Sequence, residues 1–403
     1  METVKNLSSN RMVMTTVSNI FKNNIRQYAM LIALVVIMGF FQIATKGILL
    51  VPMNVTNLVL QNSYVLILAI GMTLCILAGG HIDLSVGSLC ALIGAIVGTL
   101  SINMHVNVIV AIAVALLVGV VIGMWQGFWI AYVRIPSFIV TLAGFLMFRG
   151  ITITMLKGQT LSPFPESYQL ISGGFVPDLL DMGIGLNITT LLVGVAGSVI
   201  YVVLELKKRR ERLKYSFEIT TPVLFIIQIV LVLLAINLFA YWLAAYKGIP
   251  IIAVIIGALI LIYSIFTTKA VPGRYIYAMG GNEKAAKLSG IKTNKMLFLI
   301  YVNMAVLTTI AGISASSRLN AASPLTGTNF ELDAIAACFI GGASAYGGIG
   351  SVIGAIIGAL VMGVLNNGMS ILGVGSDWQL TIKGFVLLVA VAFDVLSKKK
   401  SRA

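Results

Sequence analysis

The 403 residues are 59% hydrophobic and only 10% charged, far from the roughly 25% charged residues of a soluble domain. A soluble fold cannot hide that much apolar surface, so the bilayer is the natural solvent. A net charge of +14 in a soluble chain would suggest nucleic acid; in a membrane chain it marks the loops on the cytoplasmic side.

Residues 1–27 are mostly polar and basic and read as a cytoplasmic segment. No small-residue cleavage site follows the first apolar run, which is therefore expected to stay as a span. Crossing about 30 Å of hydrocarbon takes roughly 20 apolar residues. Candidate spans are 28–45, 62–80, 84–103, 108–131, 136–156, 188–206, 219–240, 250–268, 296–316, 332–344, 351–368 and 379–396. This predicts an all-α, polytopic helical bundle over 28–396 with about 12 crossings, one or more of them broken, both termini cytoplasmic and a basic tail at 397–403. The tenth span is short and runs into a glycine-rich stretch, so it is expected to be a broken or re-entrant element buried in protein or lining a pathway.

With the N-terminus inside, 21 of the 27 basic residues fall on the cytoplasmic side, including Arg134, the cluster 207–214 and the loop 269–295. Four fall outside, and Arg149 and Lys383 lie within spans. The asymmetry satisfies the positive-inside rule and accounts for the basic surplus without nucleic acid. Small residues recur every fourth position, as in Gly87, Ala91 and Ala95, in Ala111 to Gly127, and in Gly350, Gly354 and Gly358. Such ridges let helix backbones approach closely, within one subunit or between two.

Cys75, Cys90 and Cys338 sit in apolar runs without paired spacing, which indicates neither disulfides nor zinc. The acidic residues lie in loops or near span ends, where ion-coupled carriers would bury carboxylates inside the bundle. There is no GxxxxGK[ST] phosphate loop, so this chain does not bind ATP in the Walker manner. Either transport is passive or energy arrives from another protein.

Residues 282–290 read as a short helix in the 269–295 loop, with Asn282 as N-cap and Gly290 as stop. Asn282, Glu283, Ala285, Ala286, Lys287 and Gly290 are the candidate coupling residues; Ala286 is expected at the buried centre of a partner contact and Lys287 at its rim. Asp83 and Ser85 open a span, as helix caps or as part of a translocation gate. His81 beside Asp83 would make an incomplete metal site, and no metal is expected. Arg149 is the costliest residue in the spans, bonding carbonyls of a broken helix or touching passing substrate. Arg318, Glu331 and Asp333 are expected to form an external cluster of ion pairs, or to dock a partner.

Several motifs carry a family resemblance: Ile82-Asp-Leu-Ser-Val-Gly-Ser88; Pro136-Ser-Phe-Ile-Val-Thr-Leu-Ala-Gly144 followed by Phe148-Arg-Gly150; Gly273-Arg-Tyr-Ile-Tyr-Ala278 with Gly280-Gly-Asn282; Ser316-Ser-Arg-Leu319; and Glu331-Leu-Asp-Ala-Ile-Ala-Ala337. With these the chain resembles the permease subunits of ATP-binding-cassette monosaccharide importers. Its length and the extra spans across 188–240 look most like the xylose or multiple-monosaccharide branch. His81 departs from the residue that relatives often carry before the Ile-Asp pair.

The resemblance implies a noncatalytic subunit of the bacterial inner membrane that forms a homodimer with a second permease copy. It also implies a cytoplasmic ATPase that carries the ATP and magnesium, and an extracytoplasmic sugar-binding protein. Lipid surrounds the chain, nucleic acid is no partner, and no cofactor is expected on the chain itself. A passive channel or ion-coupled carrier for a small polar solute is the alternative of a different class, and a substrate-sensing receptor a third.

The charge asymmetry generates a test. Cysteines placed at 212 or 284 are expected to resist an impermeant external thiol reagent in intact cells; labelling at either site would sink the proposed topology.

Overall fold

In the computed structural model, residues 25–402 are described apart from 181, 182, 184, 216 and 218–220. The segment 1–24, with Lys5, Arg11 and Lys22, lies outside the described residues. Sixteen α-helices make up the described chain. They are α1 Ile25–Ala44, α2 Pro52–Gln61, α3 Ser63–Leu77, α4 Val86–Gly98, α5 Val108–Ala131, α6 Ser137–Leu156, α7 Glu166–Gly173 and α8 Ile188–Lys214, then α9 Pro222–Ala244, α10 Ile251–Lys269, α11 Val271–Gly281, α12 Glu283–Leu288, α13 Thr293–Leu319, α14 Phe330–Ile340, α15 Val352–Ile371 and α16 Ser376–Arg402. Among the described residues, eight helical segments are long and apolar enough to cross a membrane, α4 among them through the π-helical turn Thr99–Asn103, and the bent pair α2 and α3 makes a ninth.

Two expected spans differ from their sequence form. The span expected at 62–80 begins at Pro52 and bends by 44° between α2 and α3. Neither proline nor glycine stands at the break. Asn62 sits there and donates its own Nδ2 to Leu58 O at 2.8 Å, an alternative bond that lets the helix stop and restart. The short tenth span is the half-helix α14, followed by the glycine-rich turn 341–351. Further along the chain, α8 continues through the basic cluster to Lys214, so those charges ride on a helix rather than a loop.

Helix α13 is the central post, packed against α3, α4 and α5. The small-residue ridges explain why it fits. On α5, Ala111 and Ala115 are fully buried, and a Cβ at Gly123 would stand 2.7 Å from the Val302 backbone. On α15, a Cβ at Gly358 would stand 1.9 Å from Ala337 O of α14. These ridges therefore pack helices within this chain. At the periphery, α8 and α9 pair with each other and expose Leu192, Val193, Val199, Ile226, Val230 and Leu234, apolar side chains suited to lipid.

Close approach at Gly123 leaves no room for a methyl group, and overpacking costs about 1–3 kcal/mol. Gly257 on α10 meets nothing within 4 Å, so alanine there gains roughly 0.5–1 kcal/mol of helix propensity. Gly123→Ala is expected to lower the thermal-unfolding midpoint of the purified chain and Gly257→Ala to hold or raise it. Equal shifts would contradict the ridge packing.

Candidate functional site: a polar cavity between interrupted helices

Three interruptions of helix converge on one cavity. Asn62 breaks α2 from α3, the segment 320–329 links α13 to α14, and the last turns of α15 and the first turns of α16, separated by the turn 372–375, both reach the cavity. The resulting cavity is about 390 Å³, partly open, and lined among others by Asn62, Tyr64, Arg318, Thr326, Asn366 and Lys383. Its polar lining contrasts with the lipid-facing surface of the bundle.

An ion pair braces this cavity. Lys383 Nζ of α16 lies 3.0 Å from Asp333 Oδ1 of α14, and Tyr64 OH donates to Asp333 Oδ2 at 2.9 Å. Tyr64 also stacks on Phe330, with ring centroids 3.5 Å apart. Asp333 is 2% exposed, so removing Lys383 would strand a buried carboxylate at a cost of about 3–5 kcal/mol.

This geometry corrects the expected external cluster of Arg318, Glu331 and Asp333. Asp333 pairs with Lys383, while Arg318 lines the cavity and forms no ion pair among the described residues. Glu331 is buried with Oε2 unpartnered, against the place a Cβ would take on Gly87, 2.4 Å away. Only glycine at 87 lets α4 lie against both Glu331 and Gly327 O. The absence of mid-span carboxylates in the sequence also misleads, because these acids stand at helix ends that are themselves buried in the bundle.

Arg149 does not line the cavity. Its Nη1 donates to Thr326 O at 2.9 Å and also to Pro324 O. It therefore holds the 320–329 segment that carries Thr326 into the cavity wall, the carbonyl-bonding alternative of the two weighed for it.

Asp83 and Ser85 form a separate buried cluster. Ser85 N and Oγ donate to Asp83 Oδ1 at 2.8 and 2.6 Å, and Gln126 Nε2 of α5 donates to Ser85 Oγ at 2.7 Å. Ser85 makes no side-chain cap bond to α4; of the expected pair it is the Asp83 carboxylate that takes a backbone N–H at the helix start, that of Ser85. The carboxylate closes the turn before the helix and links it to α5. Gln126 escaped sequence reasoning because nothing local marks it; its partner lies 41 residues away. His81 Nδ1 lies 3.3 Å from Ser137 Oγ, and no group of three possible metal ligands occurs among the described residues.

The short helix α12 forms as its sequence predicts. Asn282 Oδ1 accepts from Ala285 N at 3.0 Å, and Gly290 takes φ +85°, the left-handed stop that glycine permits. Arg134 pairs with Glu283 at 2.8 Å. Partial burial raises the Glu283 pKa, but the Arg134 hydrogen bond and charge prevail and hold it below the ordinary carboxylate value.

Ala285 and Lys287 face outward, but Ala286 is 5% exposed within the chain's own core. It is therefore not the centre of a partner contact. Leu288, which the sequence pattern passed over, is 90% exposed.

Behind α12 lies a glycine junction. Gly348 N donates to Leu77 O at 3.0 Å; a Cβ at Gly280 would stand 1.7 Å from the same carbonyl, and one at Gly347 would stand 2.6 Å from Gly79 Cα. The ends of α3 and α11 and the turn after α14 thus meet backbone to backbone.

The family of branched-chain amino acid transport system permease components matches residues 54–391. The chain is 41% identical over 381 residues to the xylose transport system permease protein of Haemophilus influenzae, covering 94% of this chain and 98% of that one. It is 38% identical over 379 residues to the Escherichia coli xylose transport system permease protein, covering 94% of each. It is 36% identical over 365 residues to the ribose import permease protein of Escherichia coli, covering 90% and 92%. No solved structure matches.

Because Arg149 donates to two carbonyls, Arg149→Leu is expected to abolish most substrate uptake at matched membrane levels, and Arg149→Lys to retain part of it. Each carbonyl left unpaired costs roughly 1–3 kcal/mol. Near-normal uptake by both variants would show that the anchored segment does not depend on this side chain.

Proposed function

The chain belongs to the family of branched-chain amino acid transport system permease components, and we propose that it is the multi-pass, noncatalytic permease subunit of an ATP-driven importer of a xylose-like monosaccharide in the inner membrane. Similarity over nearly the whole length of the xylose and ribose permeases supports the substrate class. The observation that carries the assignment of a route is the polar cavity with its Lys383–Asp333 pair. Hydrocarbon cannot face such a lining, since each unsatisfied polar group costs several kcal/mol there. A second permease copy covers the open side, and the substrate route runs between the two copies.

In this reading the basic end of the bundle and both termini face the cytoplasm, with about 12 crossings. The domain 28–396 forms the pathway, and 269–295 is the coupling loop. A separate ATPase, which binds ATP and magnesium, docks on α12 and its flanks, and an extracytoplasmic sugar-binding protein delivers substrate at the opposite end. Movement of α12 passes through α11 to the end of α3 and the turn after α14 at the glycine junction of Gly280, Gly348 and Leu77. Asp83, Ser85 and Gln126 hold the start of α4 to α5 and act as a gate element on that path.

The docking anchor is Leu288, because a nearly fully exposed apolar side chain at a helix tip gains roughly 1.5–3 kcal/mol when a partner removes it from water. Glu283, Lys284 and Lys287 form its polar surround, with Ala285 exposed among them.

Leu288→Asp is expected to lose ATPase co-purification and substrate-stimulated ATP hydrolysis while the permease stays folded, and Lys287→Ala to be milder. Ala286→Asp is expected instead to lower the thermal stability of the isolated permease. Normal ATPase association with Leu288→Asp would put the docking surface elsewhere, and vanadate-insensitive uptake would favour a passive or ion-coupled carrier.

A further inference from the structure

Two side chains of the cavity lining hold polar atoms that nothing in the chain satisfies. Thr326 Oγ1 and Asn366 Oδ1 are buried and without a hydrogen-bond partner. Thr326 is 7% exposed and stands on the segment that Arg149 anchors; Asn366 belongs to the last turns of α15. Buried polar atoms in folded proteins are nearly always paired, so exceptions need a reason. Here the two exceptions line one cavity.

The rest of the lining adds hydrogen-bond donors and an aromatic surface. Lys383 is neutralised by Asp333, which leaves dipoles rather than a net charge at that wall. Arg318 stands at the same cavity with no ion pair among the described residues, and its guanidinium offers N–H donors and no acceptor. The stacked Tyr64 and Phe330 rings add an aromatic surface whose negative face suits polarised C–H groups. The volume, about 390 Å³, lies within the roughly 300–1,000 Å³ of small-molecule sites.

We propose that this cavity is a binding subsite for a neutral, polyhydroxylated solute of aldopyranose size, with Thr326 Oγ1 and Asn366 Oδ1 pairing to its hydroxyl groups. A hydroxyl is at once donor and acceptor, so one ligand type satisfies the Thr326 hydroxyl and the Asn366 carbonyl together. The inference rests on the cavity being part of the transport route and goes further: the permease itself recognises the solute. Part of the importer's selectivity then resides in this chain, beside that of the binding protein.

The test uses the full chain in lipid nanodiscs without ATPase or binding protein, and D-xylose as probe. Saturation-transfer NMR is expected to detect saturable binding, competed by unlabelled D-xylose and not by glycine betaine. Thr326→Val and Asn366→Leu are each expected to weaken it by roughly fivefold or more, and Thr326→Ser to retain it. Because the wild-type atoms are unpaired, Thr326→Val should also hold or raise the thermal stability of the sugar-free chain, a combination that a merely structural threonine would not give.

No saturable binding up to about 100 mM, with the complete importer still transporting D-xylose, would overturn the subsite and leave the route intact. Binding unchanged in both variants would mean that water satisfies these atoms, and would overturn it as well. Failure of the complete importer to transport any monosaccharide would instead remove the functional reading beneath it.

Discussion

Backbone amides and carbonyls inside a bilayer have no water to turn to, so every helix that ends within the bundle must be met by another part of the chain. This chain ends several helices there, and the bonds that meet them organise the rest of the structure. Arg149 takes the carbonyls of the 320–329 segment, Gly348 N takes Leu77 O, and Tyr277 OH donates to Gly350 O at 2.9 Å. Once those groups are satisfied, helix interruptions can stand side by side. Their loose ends then enclose polar space where continuous helices would have packed shut.

The same constraint links α11 to the cavity wall. Glycines at 280, 347 and 348 bring three chain segments into backbone contact, so α11, which leads directly into α12, cannot shift without disturbing α3 or the turn after α14. Helix α14 carries Asp333, and through the pair with Lys383 it reaches α16. A displacement at the exposed Leu288 therefore has a continuous packed path to the cavity wall. Packed interfaces of this kind tend to have discrete alternative arrangements rather than a continuum, as alternating access requires.

Much of this was legible in the sequence, and what was not has definite causes. Hydropathy and charge placed most helices, because lipid imposes a length and the loops a sign. The stop at Gly290 and the cap at Asn282 were legible because capping is local. The break at Asn62 was not, since an asparagine without proline or glycine carries no strong breaker signal. Pairing of Asp333 with Lys383, 50 residues on, and with Tyr64, 269 residues away, depends on where interrupted helices converge, which periodicity does not encode. Ala286 and Leu288 illustrate a third limit. Six residues of helix announce a helix, but with too few turns to define a stripe they do not announce which side packs inward.

The central claim is that substrate passes the cavity walled by Thr326, Asn366 and the Lys383–Asp333 pair. Its most direct measurement places a cysteine at Asn366 in a chain whose three buried native cysteines have been replaced, and follows the reconstituted importer during treatment with a small polar thiol reagent. Modification is expected to stop uptake, and saturating monosaccharide to slow the modification. Complete modification with undiminished uptake and no protection by substrate would contradict the account.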